Sequence, residues 1–125
     1  MAKLVEMDEH VTLAMQMEQE EDISGPIILL SRFTVNPEDV DGFLKAWTDD
    51  ATLMKQQPGF ISTRLHRGIA GSTTFVNYAV WESVATYKNA VNKVGVRSRL
   101  SNYPDSTIVS PHLFNKVAVP GICVD

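Results

Sequence analysis

The chain has 125 residues, 44% of them apolar, enough for one domain with a real core. Its net charge of −4 is uneven: the first 24 residues carry seven acids against Lys3, so the rest is slightly basic, and no stripe of the kind a nucleic-acid partner requires is present. Neither a membrane-length apolar run nor a basic-then-apolar leader is present, so the expectations are no nucleic acid, no membrane and a cytoplasmic protein. Cys123 stands alone, and His10, His66 and His112 lack ligand spacing, so no metal site is expected.

Residues 1–25 form an acidic N-terminal extension that reads as an arm, a strand or a disordered tail. Val11, Leu13, Met15 and Met17 alternate with Thr12, Ala14 and Gln16 at strand period. The favoured expectation is a strand that adds to a sheet. A domain over 26–120 follows, then a short tail at 121–125. Ile27–Val35, β-branched and aliphatic, reads as a central strand. Asn36-Pro37-Glu38-Asp39 starts a helix with a capping side chain and a first-position proline. Val40, Phe43, Leu44, Trp47, Ala51 and Met54 form its buried stripe. Phe60–Arg67 and Thr73–Trp81 pair as a hairpin around a glycine turn. Ser83 caps a second helix with Val84, Tyr87, Val91 and Val94 on one face, and Gly95 interrupts it. Val96–Asn102 adds a short helical turn, and Leu113–Val119 reads as the last strand.

The order is β-α-β-β-α-β, an α+β ferredoxin-like unit with an antiparallel sheet and both helices on one face. The other face would carry Ile28, Leu30, Val76, Tyr78 and Val80. An apolar face does not stand in water, so a homodimer is expected.

Alternation along Thr73–Trp81 places Phe75, Asn77, Ala79 and Trp81 toward the helices. Asn77 and Trp81 are then roughly 13 Å apart at about 3.3 Å per residue, suited to the two ends of an elongated groove. Tyr87, one turn into the next helix, can close over it. Aromatic walls with a few neutral hydrogen-bonding groups suit a flat, mostly apolar molecule bearing some oxygens. Locally satisfied core residues are the competing reading. For Trp47, too, core filling competes with walling a pocket.

Pro58-Gly59-Phe60-Ile61-Ser62, Leu65-His66, Val76-Asn77-Tyr78-Ala79-Val80-Trp81-Glu82-Ser83 and Tyr87 resemble the antibiotic biosynthesis monooxygenase superfamily of dimeric α/β barrels. Within it, the pattern is similar to the cofactor-independent anthrone monooxygenases of aromatic polyketide pathways. The resemblance implies a catalytic set of Asn77, Trp81 and Tyr87, no cofactor, and an electron-rich aromatic substrate (an anthrone, phenol or hydroquinone) oxidised by O2 to a quinone. Leu65, Phe75, Trp47, Phe43, His66 and Arg97 are the candidate substrate-binding residues. Two positions depart from the pattern. Leu65 stands where the anthrone enzymes have a tyrosine, and His66 beside it alternates to the other face. A late arginine of the family falls by spacing near Asn102, with Arg97 and Arg99 close by. Two other readings are a haem-degrading member, whose iron-binding histidine position is Val91 here, and a non-enzymatic dimeric barrel that holds a small aromatic metabolite.

Overall fold

A computed structural model describes residues 1–19 and 25–123. Residues 20–24 of the acidic extension and 124–125 of the tail lie outside the described residues. The elements are β1 (Lys3–Leu4), α1 (Leu13–Glu18), β2 (Ile27–Thr34), α2 (Val40–Met54, entered through a 3₁₀ turn at Pro37–Asp39), β3 (Phe60–Arg67), β4 (Thr74–Trp81), α3 (Val84–Val94), α4 (Val96–Ser101) and β5 (Ile108–Phe114). Among the described residues, no helix is long and apolar enough to cross a membrane.

The sheet runs β1-β5-β2-β4-β3. Its four longer strands are antiparallel neighbours in the ferredoxin-like order, and β1 adds to the edge parallel to β5. Along β2, exposure alternates with strand period: Ile27, Leu29, Ser31 and Phe33 are buried on one side, and Arg32 is exposed on the other. The helices cover the first side. Met54, Tyr87, Ala90 and Val91 pack on Ile27, Leu29, Ala79 and Trp81 in one cluster, while Phe43 and Ala46 pack on Phe33, Phe75, Val109 and Tyr103 in another. On α2 the fully buried positions are Phe43, Ala46 and Met54, and Leu44, expected in the stripe, is exposed.

Three local expectations are corrected. Leu13–Glu18 is a helix and not a strand. The Thr12 hydroxyl accepts from the Met15 N–H at 3.2 Å, and Glu6 Oε1 accepts from the Leu13 N–H at 2.7 Å, so the first turn is capped twice. Leu13 and Met17, one turn apart, then share a face against the cluster around Trp81. The strand that the extension does add is Lys3–Leu4.

The last strand lies at Ile108–Phe114, five residues before the expected start, although Pro111 sits inside it. The Leu113 N–H donates outward to Gln16 Oε1 at 3.0 Å, away from β2. Pro111, two residues earlier, turns its ring nitrogen to the same outer edge, where β1 has already ended, so no ladder bond is lost. At the start of α2, the Asn36 side chain makes no cap bond. Its N–H donates instead to Ser106 Oγ at 3.1 Å, and Ser106 in turn donates to Asp39 at 2.7 Å, which ties the 3₁₀ turn to the loop before β5.

Ser83 and Thr86 form a capping box at the start of α3. Gly59, at φ +90°, passes so close that an added Cβ would meet the Thr86 side chain at 2.2 Å. Thr86 has little room to yield, because its N–H and hydroxyl are both engaged with Ser83. Left-handed strain of about 1–2 kcal/mol and overpacking of about 1–3 kcal/mol place the expected cost of Gly59→Ala at about 2–5 kcal/mol. Urea unfolding measures it, and a loss below about 1 kcal/mol would contradict this packing.

Candidate active site

The two apolar clusters do not meet over the middle of the sheet. There β2 presents Ser31 and β4 presents Asn77, side by side in register, with Pro111 flanking Ser31 on β5. Small and polar side chains leave a gap that the helices do not fill. The result is a cavity of about 240 Å³, close to the lower end of the range for small-ligand sites, about 300 Å³. Trp81, Tyr87 and Met54 wall one end, and Phe33 and Tyr103 the other. Trp47, Ala51, Phe60 and Thr63 line both this cavity and a shallower groove between α2 and β3, so the groove is its mouth.

Each catalytic candidate is held by local structure. Trp81 ends β4 with the indole 1% exposed, edge-on to Phe60 and Tyr87 at centroid distances of 5.4 and 5.5 Å. Its Nε1–H is buried without an acceptor among the described residues. An unpaired buried donor costs about 1–3 kcal/mol, which a ligand oxygen would relieve. Asn77 Oδ1 accepts a short hydrogen bond from the Thr63 hydroxyl on β3. With Oδ1 held in this way, the NH2 has no protein acceptor among the described residues, and Asn77 lines the cavity. Tyr87 folds over Trp81 from the first turn of α3, as its sequence position suggests. Burial pushes its phenol up to about 12, with Arg99 opposing and Asp50 reinforcing that rise.

A second group lies on the wall opposite the strands. Arg99 Nε donates to Asp50 Oδ1 at 2.6 Å, its terminal nitrogen donates to Oδ2 at 3.3 Å, and the Tyr103 hydroxyl donates to the same Oδ2 at 3.0 Å. The ion pair is only 19% and 14% exposed. Burial alone would lower the Arg99 pKa, but the Asp50 bonds outweigh it and hold it above its ordinary value. Tyr103 is raised beyond the usual phenol range by burial, with Asp50 adding to the rise. This network joins α2 to α4, and all three residues line the cavity. Sequence reasoning missed Asp50 and Tyr103. The signal for Asp50 was a carboxylate at the third position after Trp47, inside an otherwise apolar stripe.

Of the candidate substrate-binding residues, only Trp47 lines the cavity. Phe43 and Phe75 pack on each other at 4.6 Å in the core behind it, and Leu65 packs on that same cluster. His66 pairs with Val76 on the opposite sheet face. Arg97 is exposed: two residues along a helix is a turn of about 200°, so it points away while Arg99 points in.

Alkaline titration tests the burial of the phenols. Tyr87 is expected to stay protonated to beyond pH 11, read as phenolate absorbance. Its raised pKa contributes stability that is complete below about pH 10 and is lost between 10 and 12, because the unfolded phenol releases its proton first. Ionisation of Tyr87 below pH 10 would contradict this.

The sequence profile described as antibiotic biosynthesis monooxygenase matches residues 26–97. No curated protein matches the sequence. Among solved structures, a candidate monooxygenase from Shewanella loihica PV-4 is 27% identical, with 78% of this chain and 100% of that one covered at a TM-score of 0.67. SnoaB from Streptomyces nogalater, described as a cofactor-independent oxygenase, is 21% identical over 78% of this chain and 99% of its own, with a TM-score of 0.69. A candidate antibiotic biosynthesis monooxygenase from Caulobacter crescentus CB15 is 17% identical over 75% and 92%, with a TM-score of 0.60. With more than half of its residues inside the matched profile, this chain belongs to the antibiotic biosynthesis monooxygenase family.

Proposed function

We propose that the protein is a cofactor-independent cytoplasmic monooxygenase that uses O2 to oxidise an electron-rich aromatic, an anthrone, phenol or hydroquinone, to a quinone. The observation that carries this reading is a largely aromatic and aliphatic cavity whose charged pair is self-neutralised and whose lining includes Asn77, held by Thr63, and Trp81, whose buried indole N–H has no acceptor among the described residues. SnoaB, which shares the fold, is described as a cofactor-independent oxygenase, and we extend that description to this chain. Val91, the position where the resemblance would put a haem-binding histidine, lines the cavity with an aliphatic side chain and offers iron no ligand.

With an anthrone, the methylene opposite the ketone loses a proton to solvent at the cavity mouth, leaving an enolate. That anion gives one electron to O2, and the resulting radicals combine into a carbon–oxygen bond to a peroxide. The peroxide loses water, so one oxygen atom stays as the new carbonyl and the other leaves as water. The protein has to bind the rings, exclude bulk water and stabilise negative charge on oxygen as it develops. Asn77 and Trp81 donate to the enolate and peroxide oxygens. Tyr87 remains a phenol at neutral pH, so it donates a hydrogen bond or a proton to the departing oxygen and does not act as a base.

Purified protein incubated with an anthrone and hydroquinone panel is expected to form quinone with matching oxygen uptake. Asn77→Ala and Trp81→Phe should each lower kcat by about 10²-fold, the usual loss of one preorganised donor. No rate above buffer for any compound, or undiminished rates in both variants, would overturn the reading. Ligand binding without turnover would instead favour a non-enzymatic aromatic-binding barrel.

We also propose that a second copy covers the face away from the helices. Tyr78 and Phe114 stand 38% and 39% exposed there, among half-buried Ile28, Leu30, Val76 and Val80, a patch that water does not favour. Light scattering should give a dimer mass for the wild type and a monomer mass for Tyr78→Glu. A wild-type monomer at micromolar concentration would contradict it.

A further inference from the structure

The family match begins at residue 26, yet the segment before it reaches the cavity. Leu4, Glu6, Leu13, Ala14 and Met17 all line it. The segment is fixed at both ends. The Ala2, Lys3 and Val5 N–H groups donate to the carbonyls of Leu100, Thr107 and Val109 at 2.8–2.9 Å. On α1, the Gln16 amide pairs with both backbone groups of Leu113 at 3.0 Å, in the manner of a neighbouring strand, and lies 3.1 Å from His112 Nε2. Glu18 meets Lys88 of α3 at 3.0 Å. Leu13 is buried in the same cluster as Trp81 and Tyr87, with Met17 packed beside it.

We propose that this N-terminal segment is a substrate-specificity element that closes one side of the cavity in cis. Met17 limits the length of ring system that fits, and Glu6 selects a neutral hydroxylated aromatic over a carboxylated one. Among the described residues, two carboxylates line the cavity, Glu6 and Asp50. Asp50 is neutralised by Arg99 and engaged in three hydrogen bonds. Glu6 accepts only the Leu13 N–H and meets no cation among the described residues. A carboxylate is an acceptor only, so it favours a ligand O–H and repels a ligand anion. The inference rests on the aromatic-substrate reading above, but it concerns binding and can be tested without turnover.

Calorimetric titration with three neutral or charged probes separates the outcomes: a three-ring phenolic anthrone, the same ring system bearing a carboxylate, and single-ring hydroquinone. The wild type should prefer the neutral three-ring probe to its carboxylate by about tenfold. Glu6→Gln keeps an acceptor for the Leu13 N–H, and should reduce that preference to about twofold or less. Met17→Trp should weaken the three-ring probe about tenfold while moving hydroquinone by less than about twofold. A wild type that binds none of the probes, or two variants that leave both ratios unchanged, would overturn the role of the segment. Absence of quinone formation with these binding ratios intact counts against the monooxygenase reading alone.

Discussion

The site depends on a failure of apolar closure. Both helices are driven onto one sheet face by burial of Phe43, Met54, Tyr87 and Val91, and on most of that face large side chains interdigitate. At Pro111, Ser31 and Asn77 they cannot, because these three side chains are too short, and Leu65, next in the row, packs into the Phe43 cluster instead. The aromatic clusters at either end hold the helices off the sheet like two pillars, so the space between them persists.

What surrounds that space divides into two chemical halves. The strand side offers neutral donors held by a side-chain hydrogen bond or by stacked rings, with Thr63 fixing Asn77 and Phe60 fixing Trp81. The helix side offers a guanidinium and a carboxylate that satisfy each other, with Tyr103 completing the set. A paired charge polarises its surroundings less than a free one and costs less to bury. The network therefore anchors α4 to α2 and lends Tyr87 an electrostatic environment, without placing a bare charge against an apolar ligand. The N-terminal segment supplies the remaining wall by strand addition, helix capping and an amide that stands in for a strand.

The sequence by itself determined the order of strands and helices in the family core, the face of β4 that carries Asn77 and Trp81, and the position of Tyr87 above them. Those features follow from periods of two and 3.6 residues and from local stop signals such as Ser83 and Gly95, and need no distant partner. Tertiary structure alone decided the rest. Leu13–Met17 satisfies a strand period and a helix period at once, and only Glu6 at the helix start and the apolar bed around Trp81 select the helix. Pro111 sits inside β5 because the sheet edge leaves its missing N–H without a partner strand that would need it. Arg97 and Arg99 read alike in one dimension. The buried carboxylate of Asp50, 49 residues away, decides which of them enters the site, because an unpaired charge there would be too costly to bury.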